Sequence, residues 1–496
     1  MKLKTFSRII GITFLLISAG LTFIAYQKAV PEECVFPQGS SIDGVDVSGL
    51  TKSQTVEYLK SVFEQPVSFD IDEINFNFTI NDLGVTINYD QMVSGLNCES
   101  EINLTYFWKS LWNKSQPEKI ESELVYSLDE NKLQSLIDQR VAPYVIIDPK
   151  NPVSIEGTTR FQAGMDGTTF YKQVLINKIE AQIGVVDRQT FQVATQTISA
   201  PLPDTQQIKE KVNAILRDEN FNGAIEIYAQ RLSDHEEIQI LDWFGEEKDP
   251  GVAFTAASTM KIPIMVSTYW RQNLPLSDIM NGWLDSMIIL SENDPADRLM
   301  EQIDPDRGPL DVTSDVEKLG LENTFIAGYF YLGAPLLNLY ETPANLRTDT
   351  FTNPDVYNQT TPEDIGHLLE MIYTCSEDES AELISLTQGQ ISQEECKVII
   401  DTLEKNQMGA LIEAGLPEGV SIAHKHGWSQ EKDGLVHSFS DVAIVYGPEN
   451  DFVLTIFTYS SDQLLFDVAN PLIARVSQTI YNGFNPNYQI SWPFAE

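Results

Sequence analysis

The segment FTAASTMKIPIMVSTYW, residues 254–270, sets Ser258 three residues ahead of Lys261, where a polar run turns apolar. Positions i and i+3 share one face of a helix, so the lysine can reach the serine hydroxyl. Burial under the apolar run Ile262–Val266 would favour the neutral amine, which can take the hydroxyl proton and leave a nucleophilic oxygen. A serine at a helix start also offers its backbone N–H to a developing oxyanion. Chance supplies about one or two such pairs in a chain of this length, so the pair needs company. Two further segments provide it. MIILSENDPADRLME holds Ser291 and Asn293 between an apolar helix and the start of another, and IAHKHGWSQ holds Lys425, His426, Gly427 and Trp428 at a strand edge followed by a turn.

The elements that must position these residues begin at Asp204. A helix over TQQIKEKVNAILRDE, strands GAIEIYAQ and EIQILDWF, a long helical middle, strands SDVAIVYG and DFVLTIFTY, and a last helix over PLIARVSQTIYNGF follow in order. Strands at both ends with helices between them predict an α+β domain, residues 204–496, with one antiparallel sheet packed on a helical cluster. APLPDT, residues 200–205, has two prolines and no periodicity and is the predicted domain boundary. Before it, residues 40–202 alternate short strands with amphipathic helices, an α+β module in two loosely similar halves. No titratable cluster there suggests chemistry, which leaves a binding module or a structural stalk.

The three polar segments, in this order, resemble the penicillin-recognising serine hydrolases, and most of all class A β-lactamases, with their Ser-x-x-Lys, Ser-Asp-Asn and Lys-Thr-Gly elements. TTPEDIGHLLEMIY, residues 360–373, resembles the family's Thr-Thr-Pro helix start, and Asp441 sits where its next strand begins. The resemblance implies Ser258 as acylated nucleophile, Lys261 as base and Ser291 as proton relay to the leaving nitrogen. Asn293 would hold the substrate amide, Lys425 would supply positive charge, and the N–H groups of Ser258 and Trp428 would form the oxyanion hole. It also implies a deacylating water on Glu341 with Asn345, in ETPAN. Three departures stand out. Glu292 replaces an aspartate, the 33-residue interval from Ser258 to Ser291 is short for the family, and His426 replaces the hydroxyl that binds the antibiotic's carboxylate. His235, His367, His424 and His437 show no ligand spacing and read as surface or capping residues; no metal or cofactor is expected. IDGVDVSGLT and FQAGMDG resemble the peptidoglycan-binding domain found beside VanW-type cell-wall proteins, which implies contact with the cell wall through residues 40–202.

A formal charge of −40, from 72 acidic against 32 basic residues, argues against nucleic acid as a partner. Lys2, Lys4 and Arg8 precede an uncharged stretch, residues 9–26, long enough for a transmembrane helix with its basic flank inside. The expectation is a single-pass membrane anchor over residues 1–30 with the bulk extracytoplasmic, or a secreted chain if the segment is cleaved. An oxidising compartment permits disulfides, and pairing within each half gives Cys34–Cys98 and Cys375–Cys396; four buried free thiols are the alternative. The function expected is an anchored serine acyl-transfer hydrolase acting on a β-lactam or a peptidoglycan-derived amide. A non-catalytic cell-wall-binding or sensing protein on a degenerate hydrolase fold, and a small-ester esterase, are the alternatives.

Overall fold

The computed structural model describes residues 2–29, 35–96, 98, 118–272, 274–406 and 408–491, and in its first helix the side chains of residues 10–25. The chain divides into two units, Met1–Pro149 with Asp166–Ser199, and Lys150–Met165 with Ala200–Glu496. The break between Ser199 and Ala200 falls beside the boundary expected at 200–205, but residues 150–165, expected in the first region, belong to the second unit.

In the first unit, strand Val67–Ile71 pairs with Ile74–Phe78 and, in parallel, with Phe191–Val193. The two halves read separately in the sequence thus share one sheet. Alternation turns Val67, Phe69 and Ile71 inward, where helices Glu130–Arg140 and Lys172–Glu180 add Leu133, Ile137, Leu175 and Ile179. A smaller core forms around helix Lys52–Phe63, whose start is fixed by a capping box between Thr51 and Gln54. A helix runs over Lys2–Ala29. Among the described residues, however, no helix is long and apolar enough to cross a membrane. The transmembrane helix expected over residues 9–26 is therefore not shown.

The second unit begins with a hairpin, β1 (Val153–Ser154) and β2 (Phe161–Gln162), followed by helix α1 (Thr205–Glu219), which Asp204 and Gln207 cap reciprocally. Its main sheet comprises β3 (Ala224–Arg231), β4 (Glu236–Trp243), β5 (Glu246–Lys248), β6 (Ser421–Gly427), β7 (Ser438–Tyr446) and β8 (Phe452–Tyr459), in the order β5-β4-β3-β8-β7-β6. Every pairing is antiparallel, and β3 beside β8 joins the two ends of the domain. The central strands β3 and β8 are buried almost throughout because both faces of the sheet are covered. Tyr228, Val442, Ile444 and Phe457 face the cluster that holds helices α2 (Lys261–Arg271), α3 (Asn293–Ile303), α4 (Pro362–Glu377) and α5 (Gln393–Glu404). Ile225, Ile227, Leu454 and Ile456 face α1 and the last helix, α6 (Phe466–Phe484).

Cys375 on α4 and Cys396 on α5 form the disulfide expected of them, with Cα atoms 5.9 Å apart. Cys98 is also disulfide-bonded; its expected partner, Cys34, lies outside the described residues. Closing a loop of 21 residues restricts the unfolded chain by about 3 kcal/mol. Cys375→Ser combined with Cys396→Ser should lower the unfolding free energy by about that amount in urea titrations followed by tryptophan fluorescence.

Candidate active site

Ser258 lies on a 3-10 turn, Ala257–Met260, that feeds α2 at Lys261. Pro263 falls in the first turn of α2, where its missing N–H costs nothing. The turn is held from behind by a residue a hundred positions away. Asn358, on a strand that pairs with Phe254–Thr255, accepts the Ala257 N–H at 2.7 Å, and Ala257 takes a left-handed φ of 47°. On the other side Gly427 lets β6 approach: a Cβ there would meet Ser440 Oγ at 2.8 Å and Ala256 O at 2.9 Å.

Lys261 is fully buried, and its ammonium joins its own segment to that of Ser291 and Asn293. Nζ lies 2.9 Å from Ser258 Oγ, 2.6 Å from Ser291 O and 2.9 Å from Asn293 Oδ1. Ser291, in the turn ahead of α3, has a φ of 58°, a strained conformation for a serine that aims its carbonyl at Lys261 and its hydroxyl at Lys425, whose Nζ is 2.9 Å away. Lys425 also donates to His426 O at 3.2 Å. Burial brings the Lys261 amine down to about 7, opposed by the nearby Asp297 and Glu292 charges. Burial and then the neighbouring Lys261 charge bring Lys425 down to about 7 as well. Ser291 Oγ lies between the two nitrogens, 3.4 Å from Lys261 Nζ and 2.9 Å from Lys425 Nζ, an arrangement that a proton relay requires.

Ser258 and Asn293 open onto a cleft of about 410 Å³ whose walls include Tyr329, Tyr331, Tyr357 and Trp428. The residues that contribute the N–H groups named for the oxyanion, Ser258 and Trp428, both line it.

Three expected site residues stand elsewhere. Glu341 is exposed and does not line the cleft. The Asn345 amide donates to Gln359 Oε1 and Tyr340 O, at 3.0 and 3.1 Å, and folds its own loop. His426 is buried and absent from the cleft wall; its ring stacks under Trp428 at 4.7 Å, and burial, with Lys425 beside it, holds it down to about 3. A neutral ring in that position supports Trp428 and does not meet a carboxylate in the cleft. The reading of the other histidines is corrected for two of them. His424 is fully buried against Asp441, Nδ1 to Oδ1 3.0 Å, and His437 is buried with Nε2 2.8 Å from Asp433. His235 is exposed beside Glu370, and His367 packs edge-on against Tyr228.

Asp297 was missed. It stands four residues after Asn293 on α3, a spacing that puts both on one helix face, and its Oδ1 accepts the Phe330 N–H at 2.7 Å. That bond fixes the aromatic loop forming one wall of the cleft. Burial pushes its carboxyl up to about 6. Thr361 caps α4 by accepting the Asp364 N–H at 3.2 Å, the local signal behind the Thr-Thr-Pro reading.

Residues 272–484 match the model of the Beta-lactamase enzyme family, a span that contains Ser291, Asn293 and Lys425 and starts beyond Ser258 and Lys261. No curated protein matches the chain. Solved structures with a similar fold include a class A beta-lactamase from Bacteroides cellulosilyticus DSM 14838, 17% identical, with a TM-score of 0.41 over 57% of this chain and 98% of that one. They also include PBP-A, at 17% identity and a TM-score of 0.41 over 57% and 99%. A class A beta-lactamase from Mycobacterium abscessus is 18% identical, with a TM-score of 0.40 over 56% and 99%. The second unit is an α+β domain that is similar to the Beta-lactamase enzyme family over residues 272–484.

Proposed function

We propose that the second unit is a serine acyl-transfer hydrolase that acts on β-lactams or related cell-wall amides through an acyl-enzyme on Ser258. The observation that carries this reading is a fully buried lysine held 2.9 Å from a serine hydroxyl that opens onto a cleft. Ser258 Oγ bonds to the substrate carbonyl carbon while its proton passes to Lys261. The C–N bond then breaks, and the leaving nitrogen takes a proton through Ser291. Water finally displaces the serine and yields the free acid. The disulfide between Cys375 and Cys396 supports an extracytoplasmic location, at the cell membrane or secreted. The reading of residues 40–202 as a cell-wall-binding module rests on their motifs.

Glu341 stands outside the cleft, so a slow second half-reaction is part of the proposal. Intact-mass spectrometry of the protein with a fluorescent penicillin should show one adduct, lost in Ser258→Ala. Its lifetime should be the same in wild type and Glu341→Gln. An adduct that persists in Ser258→Ala would refute the acyl-enzyme, and a much longer lifetime in Glu341→Gln would restore Glu341 as the deacylating base.

A further inference from the structure

The charge of the cleft narrows its substrate. Among the residues that line it, Asp355 is the one ionisable side chain apart from the tyrosines, and none is lysine or arginine. The ammonium groups of Lys261 and Lys425 are both fully buried and directed at Ser258, Ser291 and Asn293 or a backbone carbonyl. His426, at the position where a carboxylate-binding group was expected, is under Trp428 and outside the cleft. The cleft therefore offers a substrate carboxylate no cationic partner on its wall.

What it does offer suits a cation. Aromatic faces attract ammonium groups through their negative quadrupole, and a carboxylate beside them adds a full charge. Asp355 Oδ1 accepts the Tyr357 N–H at 3.1 Å, and Oδ2 has no hydrogen-bond partner among the described residues. The cleft also runs on into a second hollow of about 400 Å³. The two share Asp355, Tyr357, Ser429 and Gln430, and the second adds Glu431, Lys432 and the Asp433 carboxylate bonded to His437. A net charge of −40 over the whole chain steers cations in the same direction.

We infer that Asp355 is a specificity-determining residue and that the preferred acyl donor carries an ammonium group on its side chain, as a diamino-acid peptide does, in place of the carboxylate of a penicillin. This rests on the acyl-transfer reading of Ser258 and adds the substrate class to it.

The test uses the p-nitrophenyl α-esters of N-acetyl-lysine, N-acetyl-norleucine and N-acetyl-glutamic acid, which share the scissile bond and differ in side-chain charge. At low ionic strength kcat/KM should be about 10-fold higher for the lysine ester than for the norleucine ester, and lowest for the glutamate ester. Asp355→Asn, which keeps an oxygen for the Tyr357 N–H, should bring the lysine-to-norleucine ratio to within about twofold of one. A merely structural role would lower all three esters together and leave the ratio alone. A wild-type ratio near one, or an unchanged ratio in Asp355→Asn, overturns the inference while turnover of the norleucine ester through a Ser258 adduct keeps the acyl-transfer reading. Esters cleaved equally well by Ser258→Ala would overturn both.

Discussion

Lys261→Ala slows acylation of Ser258 by a factor on the order of 10³ and leaves the protein folded. Among the described residues, the lysine is the one group within 2.9 Å of the Ser258 hydroxyl that can accept its proton. Its removal deletes a buried amine along with four hydrogen bonds, so lost contacts and relieved desolvation oppose each other in stability. Lys261→Arg should be equally slow, because a guanidinium stays protonated. The pH dependence separates this role from a structural one. Folded Lys261 titrates at about 7, so the acylation rate should climb as pH rises through 7 and level off above it. Lys425 titrates in the same range and is coupled to it, so the midpoint belongs to the pair. The same depression has a signature in stability. Between about pH 7 and the ordinary lysine value of about 10.4, the unfolded chain holds a proton that the folded one has lost. Stability therefore rises with pH across that window, and Lys261→Ala should flatten part of the rise. Acylation by an activated ester, followed by stopped-flow absorbance from pH 5.5 to 9, checks the kinetic part. A flat profile in wild type would remove Lys261 as base.

The site was legible where chemistry is local. Ser258 and Lys261 sit one turn apart, and Ser291 with Asn293 marks the start of a helix, so spacing alone puts the right atoms on the right faces. The two ends of the sheet were legible from apolar runs such as AIVY and VLTIF, although not that helices would cover both faces. What spacing could not give is anything fixed by long-range pairing. Asn358 reaches the nucleophile's turn because its strand pairs with Phe254–Thr255, and Asp355 reaches the cleft on the same segment. Glu341 and Asn345 have the right separation for a water site, but the path of their loop is set by other residues. Ala344 N–H bonds Asn323 Oδ1, and Arg347 bonds the carbonyls of Asp249 and Pro250. His426 shows the limit of reading one substitution: its neighbour Trp428 offers a face to stack on, and the ring turns there.

Phe161→Ala destabilises the second unit by about 3–5 kcal/mol, although it lies almost a hundred residues before Ser258 in the sequence. The hairpin β1–β2 is short, and nothing in FQAGMDG says which core it joins. In the structure Phe161 is 1% exposed and sits in the core between α1, α6 and the sheet. Hydrogen bonds cross the same contact, although Gln478 Nε2 is buried without a partner among the described residues. Thr159 Oγ1 donates to Gln478 Oε1 at 2.6 Å, Asn482 donates to Thr159 O at 3.0 Å, and Gln489 donates to Phe161 O at 2.8 Å. Lys211 Nζ, on α1, donates to Ile155 O at 2.7 Å and lies 5.3 Å from the Phe161 ring. Truncating the ring leaves a cavity in a core that cannot fully collapse, and it loosens the hairpin whose hydrogen bonds satisfy buried groups on α6. Phe170 is the control. It is nine residues away and equally buried, but it belongs to the core of the first unit. A boundary at 200–205 would make the two variants alike. The division seen here makes them differ: thermal inactivation of Ser258 acylation should shift down by several degrees in Phe161→Ala and stay near the wild-type temperature in Phe170→Ala. Equal shifts would return residues 150–165 to the first unit. A selective loss in Phe161→Ala would mean that a functional hydrolase fragment has to carry the hairpin as well as everything from residue 200 onward.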